Sequence, residues 1–201
     1  MARDSSMDVA FTPAVKAVQN AKGSREIYAR MAASQPWPTR VTPDLAGFIR
    51  RQTSFFLGTA SADGQPYIQH RGGPAGFLKV LNPTQLGFAD FAGNKQYITL
   101  GNLSENPRVI LFLIDYENAR RVKIWGKARV AEDDPALVER LHIAGGRRRA
   151  ERAIILDVEA WDVNCPQHIP RRIDADRVAE LLEERDARIA ALEAELARYR
   201  P

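Results

Sequence analysis

Cysteine is almost missing from this chain. Cys165 is the single one among 201 residues, so no internal disulfide is available. Stability must then come from a buried core, and a reducing, cytoplasmic setting is the expectation. Cys165 and His168 have the spacing of a metal-binding pair, but no second pair exists to complete a site, and no metal is expected. Long apolar runs are also lacking. None approaches the roughly 20 residues that a membrane-spanning helix requires, and the opening stretch Met1–Val15 has no apolar core of the signal-peptide kind. Neither sign of charge dominates: 29 Lys and Arg stand against 25 Asp and Glu, mixed along most of the chain, for a net charge of +4. That balance suits small anionic ligands better than nucleic acid.

The length and an apolar content of 45% allow one sizeable core. Residues Met1 to about Thr12 read as a loose arm. Three short helices follow. Pro13–Ala21 begins with a first-turn proline. Ser24 is the expected cap of Arg25–Ala33, and Thr42 of Pro43–Arg51, whose Leu45, Phe48 and Ile49 share a face. From Ser54 the period changes to that of strands, with runs at Phe55–Thr59, Pro66–Gln69, Gly76–Leu81, Gln85–Ala89, Arg108–Asp115, Arg121–Val130 and Ala150–Val163. Asp63-Gly64 marks a hairpin, and Gly126 a bulge or bend. The run VILFLI after Pro107 suggests burial on both faces. Short helices are expected at Tyr97–Leu103 and Pro135–Ile143. Many short strands with close turns indicate an antiparallel barrel.

The stretch around which the chain is organised is Gln69–Leu103, QHRGGPAGFLKVLNPTQLGFADFAGNKQYITLGNL. Arg71-Gly72-Gly73 interrupts a strand-like run, Lys79 follows the apolar Gly76-Phe77-Leu78, and Gly93-Asn94-Lys95 precedes a helical stretch. Glycine lets a ligand or another backbone come close. The turn offers N–H groups, an amide and an ammonium to an anion. The plainer reading of the same residues is two hairpins with ordinary turn glycines and solvated lysines.

Two further segments stand apart. Gly145-Gly146-Arg147-Arg148-Arg149 is a basic run, read as a solvated loop because no aromatic residues interleave with it. Asp174–Tyr199 contains neither glycine nor proline. Leu182, Ile189 and Leu196 recur every seven residues, and Val178, Arg185, Leu192 and Tyr199 make a second seam. This is either a coiled-coil strand or an amphipathic helix lying on its own barrel.

The succession FFLGTASADGQPYIQHRGG, then GFLKVLNPTQLGFADFAGNKQYITLGNLSENPRVILFLID, then RRVKIWGKARV resembles the FMN-binding split barrels related to pyridoxamine 5′-phosphate oxidase. The resemblance covers Ser54 to Asp133 and, more loosely, Ala150–Cys165. It implies a mainly β (α+β) fold, a six-stranded antiparallel split barrel with N-terminal helices and a long C-terminal helix. The corresponding divisions are residues 1–53, 54–170 and 171–201. It also implies a homodimer with FMN in a cleft between the chains.

Carried over by residue, Lys79 falls on a phosphate-binding lysine, and Asn94-Lys95 on an Arg-Lys pair that grips the same phosphate. The missing arginine charge is assigned to Arg71, supported by Gln96. Gly72, Phe77 and Leu78 belong to the segment along the flavin. Ala89 and Asp90 replace a Tyr-Thr pair that touches the cofactor. Arg121 stands at a flavin-reaching glutamine, and Arg121 or Lys123 would stabilise a reduced anionic ring. Trp161 is placed on the cofactor side of the last strand, and His168 is the candidate proton donor, or else a satisfied histidine. The oxidase's C-terminal Arg and His substrate motif has no counterpart here, so vitamin B6 oxidation is not expected. The expected activity is FMN-dependent oxidation or reduction of a small molecule, with NADH or NADPH as candidate donor. The alternative is a flavin- or haem-binding carrier or sensor without turnover.

Overall fold

The computed structural model describes residues 4–142 and 150–199. These fall into two compact units. The first comprises residues up to Ile114 and Arg121–Cys165; the second comprises Asp115–Arg120 and the chain from Pro166 onward. The basic run at 145–149 lies outside the described residues.

In the first unit, α1 (Pro13–Ala21), α2 (Arg25–Ser34) and α3 (Pro43–Arg51) precede the sheet. Thr12 and Thr42 cap α1 and α3 by accepting from Val15 N and Leu45 N, each with proline at the start. Ser24 does not cap α2 through its side chain; its carbonyl accepts the Tyr28 N–H instead. The opening arm is not loose. Ser5 and Asp8 form a capping box around a 3-10 turn at Ser6–Val9. Met7 is fully buried, and Ser6 Oγ donates to Trp37 O at 2.6 Å. A single apolar plug with a local cap overrides the polar composition of its neighbours.

Seven strands form one sheet, where the family resemblance implied six. They are β1 (Ser54–Ala60), β2 (Pro66–Gly72), β3 (Lys79–Asn82), β4 (Gln85–Phe91), β5 (Arg108–Asp115), β6 (Arg120–Ala131) and β7 (Ala150–Asn164). Their order is β2-β1-β5-β6-β7-β4-β3. The seventh strand is the four-residue β3 at one edge, paired only with β4. It begins at Lys79 rather than Gly76, because Gly76 has φ +86 and Phe77 N closes a turn onto Pro74 O. At the other edge β2 runs on through Arg71 and Gly72, which pair with Phe55 and Ser54. The Arg-Gly step therefore continues the strand. A Cβ on Gly73 would crowd the Phe77 side chain, so that glycine serves internal packing.

Period-two alternation puts Phe55, Leu57, Val109, Leu111, Leu113, Val122 and Ile124 inside, against Leu45, Phe48 and Ile49 of α3. In β5 only one face is fully buried; Ile110, Phe112 and Ile114 are half-buried, where burial on both faces was expected. A smaller cluster of Leu141, Ala153 and Ile155 seats α5 (Pro135–Leu141). The expected bulge is present: the β6–β7 register shifts between Trp125 and Gly126. A Cβ on Gly126 would overlap the Asp157 carbonyl oxygen. Gly126→Ala is expected to lower stability by about 1–3 kcal/mol, the usual cost of forcing atoms into a filled site. A urea titration at constant m-value checks this.

Candidate functional site

An open cleft of ≈ 420 Å³ lies between β2, β4, β7 and the segment entering α4 (Ile98–Glu105). Alternation along the edge strand β2 aims Tyr67, Gln69 and Arg71 into it. Asp90 and Phe91 come from the end of β4, Arg152 from β7, and Gly93 to Tyr97 from the connecting loop.

Asp90 is the hub. Its side chain is only 7% exposed. It pairs with Arg71 from β2 through Nη1, and with Arg152 Nη1 at 3.5 Å from its own cross-strand neighbour. Arg152 also reaches Glu132 at 2.8 Å and Glu151 at 2.8 Å, and stands over the Tyr97 ring at 5.7 Å. Arg71 packs over Phe88 at 5.5 Å. Its Nε is buried with no hydrogen-bond partner among the described residues. An unpaired buried donor on a cation is costly unless a ligand or solvent meets it.

The loop into α4 is unusual. Lys95 (φ +60) and Tyr97 (φ +54) both adopt left-handed backbone, which side chains other than glycine or asparagine seldom take. Tyr97 stands at the N-cap position but makes no side-chain cap hydrogen bond. The first turn of α4 (Ile98, Thr99, Leu100) lines the cleft. An uncapped helix N-terminus presents N–H donors and a partial positive charge. The helix is held from behind: Thr99 Oγ1 donates to Gln69 Oε1 at 2.7 Å, and buried Asn102 Nδ2 donates to Thr59 Oγ1 at 2.9 Å.

Arg71, Asp90, Asn94, Lys95 and Gln96 therefore meet at one place. The other expected site residues lie elsewhere. Lys79 Nζ donates to the carbonyls of Arg140 (2.7 Å) and His142 (3.5 Å) at the C-terminal end of α5. Phe77 and Leu78 are core residues, Phe77 stacking on Phe55 at 5.5 Å. Gly72 is on the exposed side of β2, and Ala89 packs with the Leu141 cluster. Arg121 and Lys123 sit on β6 opposite Asn164 and Asp162. Trp161 is buried and donates through Nε1 to Arg40 O at 2.9 Å. His168 belongs to the second unit, with φ +63. Sequence reasoning missed Arg152, Tyr67, Gln69 and Thr99. Arg152 left a trace: a lone arginine between the alanines of a strand otherwise apolar from Ala153 to Leu156.

A family model described as pyridoxamine 5′-phosphate oxidase matches residues 41–165. The chain belongs to this family. Solved structures share its fold. HupZ from Group A Streptococcus aligns with a TM-score of 0.51 and 17% identity, covering 66% of this chain and 99% of that one. A putative pyridoxamine 5′-phosphate oxidase from Lactobacillus delbrueckii aligns with a TM-score of 0.49 and 22% identity, covering 62% and 95%. HutZ from Vibrio cholerae, described as a haem storage protein, aligns with a TM-score of 0.42 and 18% identity, covering 62% and 94%. No curated protein matches this chain by sequence.

Two carboxylates, one buried in the cleft and one half-buried on β7 opposite Lys123, should respond to substitution. Asp90→Ala leaves two buried guanidinium groups short of a counter-charge, and is expected to cost about 3 kcal/mol or more, read by chemical denaturation. Burial also pushes the Asp162 carboxyl above its ordinary range, with Lys123 opposing the shift. A raised folded-state value gives stability that is full at acid pH and is lost as pH climbs through that value. Asp162→Asn should therefore gain stability relative to wild type from below pH 4 toward neutrality, measured by thermal melts across that range.

Proposed function

We propose that this pyridoxamine 5′-phosphate oxidase family member binds FMN in the cleft and acts as a flavin-dependent oxidoreductase on a small molecule. The observation that carries the reading is the convergence of Arg71, Lys95 and the uncapped start of α4 on one opening. The donor set fits a phosphate. Arg71 offers a buried Nε without a partner, Lys95 an exposed ammonium, and Asn94 and Gln96 amides. Arg152 and Asp90 hold Arg71 in place. When bound, flavin supplies the electron chemistry, and the protein orients and tunes it. NADH or NADPH is the proposed donor.

The reading includes a homodimer. Arg121 and Lys123 do not line the cleft, so they reach the same ring only from a second copy. Arg121 Nε and Asn164 Oδ1, neighbours across β6 and β7, are both buried without a partner among the described residues. The half-buried Phe56, Ile110 and Phe112 give a second copy an apolar face.

A second reading, a carrier or sensor for a flavin or related ring, is favoured by one observation. The residues lining the cleft include neither histidine nor cysteine, so proton transfer there would fall to Tyr67, Tyr97 or Lys95, whose phenol and ammonium groups are weak acids by type. Rapid reduction of the bound flavin by NADH or NADPH, followed by reoxidation with an acceptor, marks the enzyme; bound flavin that resists reduction marks the carrier.

The phosphate contact has its own test. Lys95→Ala should weaken FMN binding by about 10- to 100-fold, the equivalent of one charge-assisted hydrogen bond, while riboflavin binding and thermal stability stay unchanged. Equal loss of both ligands, or no loss of either, places the phosphate elsewhere. Fluorescence quenching of the two flavins measures it.

A further inference from the structure

In the second unit, α6 (Ala175–Ala197) is 23 residues long and about 34 Å from end to end. Asp174 caps its start by accepting from Asp176 N. Every residue of it is exposed in the single chain. Most of the large apolar ones fall on one seam: Val178, Leu182, Ile189, Leu192, Leu196 and, just beyond the helix, Tyr199 alternate at spacings of four and three, broken once by Arg185, while Leu181 stands beside the seam. A free helix of this length has little stability in water, so a seam repeated over three heptads calls for a partner of matching period.

The charges identify that partner. Seven acidic residues stand against three arginines between Ala175 and Ala197, a balance unsuited to an anionic lipid surface or to nucleic acid. With Leu182, Ile189 and Leu196 as one core row and Val178, Arg185 and Leu192 as the other, Asp186 and Glu193 flank the seam on one side and Leu181, Arg188 and Glu195 on the other. In a parallel pair of identical helices, flanking positions five residues apart meet across the interface, which brings Arg188 to Glu193 twice by symmetry. In an antiparallel pair each flank meets its own kind: Arg188 can then meet Glu195, but Asp186 and Glu193 face each other. Arg185 is the weak layer of the parallel pair; Asp186 lies 3.0 Å from its guanidinium and offsets part of its charge.

We propose that α6 pairs in parallel with α6 of a second copy of this chain, forming a short two-stranded coiled coil. The pairing does not depend on the cleft or on flavin.

Site-directed cross-linking in the full-length chain tests it in a way that a dimer formed through the barrel cannot imitate. In a Cys165→Ser background, Leu192→Cys places a thiol in the seam and Ala194→Cys places one on the opposite face. Mild oxidation should convert most of the Leu192→Cys protein to a disulfide-linked pair, at least tenfold faster than the Ala194→Cys protein. Adding Ile189→Asp to Leu192→Cys should abolish the difference, while Ala187→Asp should not. Absence of cross-linking at position 192, or equal rates at 192 and 194, overturns the proposal. Far-UV circular dichroism of each variant confirms that the barrel is intact, and no flavin is needed for any arm.

Discussion

One buried carboxylate, Asp90, ties together strands that the chain order keeps apart. It receives Arg71 from the edge strand β2 and Arg152 from β7, while itself standing on β4. β2 lies at one end of the sheet order and β4 next to the other end. The ion pair therefore joins two distant positions of the sheet order, beside the Phe55–Phe88 ring contact that packs β1 against β4. Ion pairs this well buried gain specificity of arrangement more reliably than they gain stability, since desolvation offsets most of the attraction. Here the arrangement it specifies is the mouth of the cleft.

The cleft also depends on a loop that is not relaxed. Lys95 and Tyr97 hold left-handed backbone at a cost on the order of 1 kcal/mol each. The Thr99–Gln69 and Asn102–Thr59 hydrogen bonds fasten the following helix to the strands and keep the loop in that form. The result is a helix start without a cap, turned toward solvent between two guanidinium groups. Strain, uncapped donors and cations in one place are the features that the proposed phosphate contact would use.

Much of the fold was legible in the sequence. The change of period at Ser54 marked where the strands begin, and the glycine at 126 named the bulge, because both follow from local periodicity and backbone sterics. The seven strand-like runs each became a strand. Met7 escaped because one buried side chain in a polar segment leaves no periodic signal. The site was legible in part. Gly93-Asn94-Lys95 announced itself through composition, and Arg71 through its neighbourhood. The family resemblance put Lys79 with Lys95 on one phosphate, yet its ammonium is taken up by the carbonyls of Arg140 and His142, some sixty residues on. Arg152 could not be tied to Asp90 without knowing which strands are neighbours.

By itself, then, the sequence determined most of the secondary elements, the heptad seam of α6 and the family resemblance, since all of these are written in short-range patterns of residue type. Only the tertiary structure decided which charges meet. Whether a lysine binds a ligand or a helix end, and whether an aspartate repels a phosphate or holds an arginine ready for one, depends on strand order and register. Those are set by packing across the whole chain, because electrostatic partners are chosen by distance in space and not by distance along the sequence.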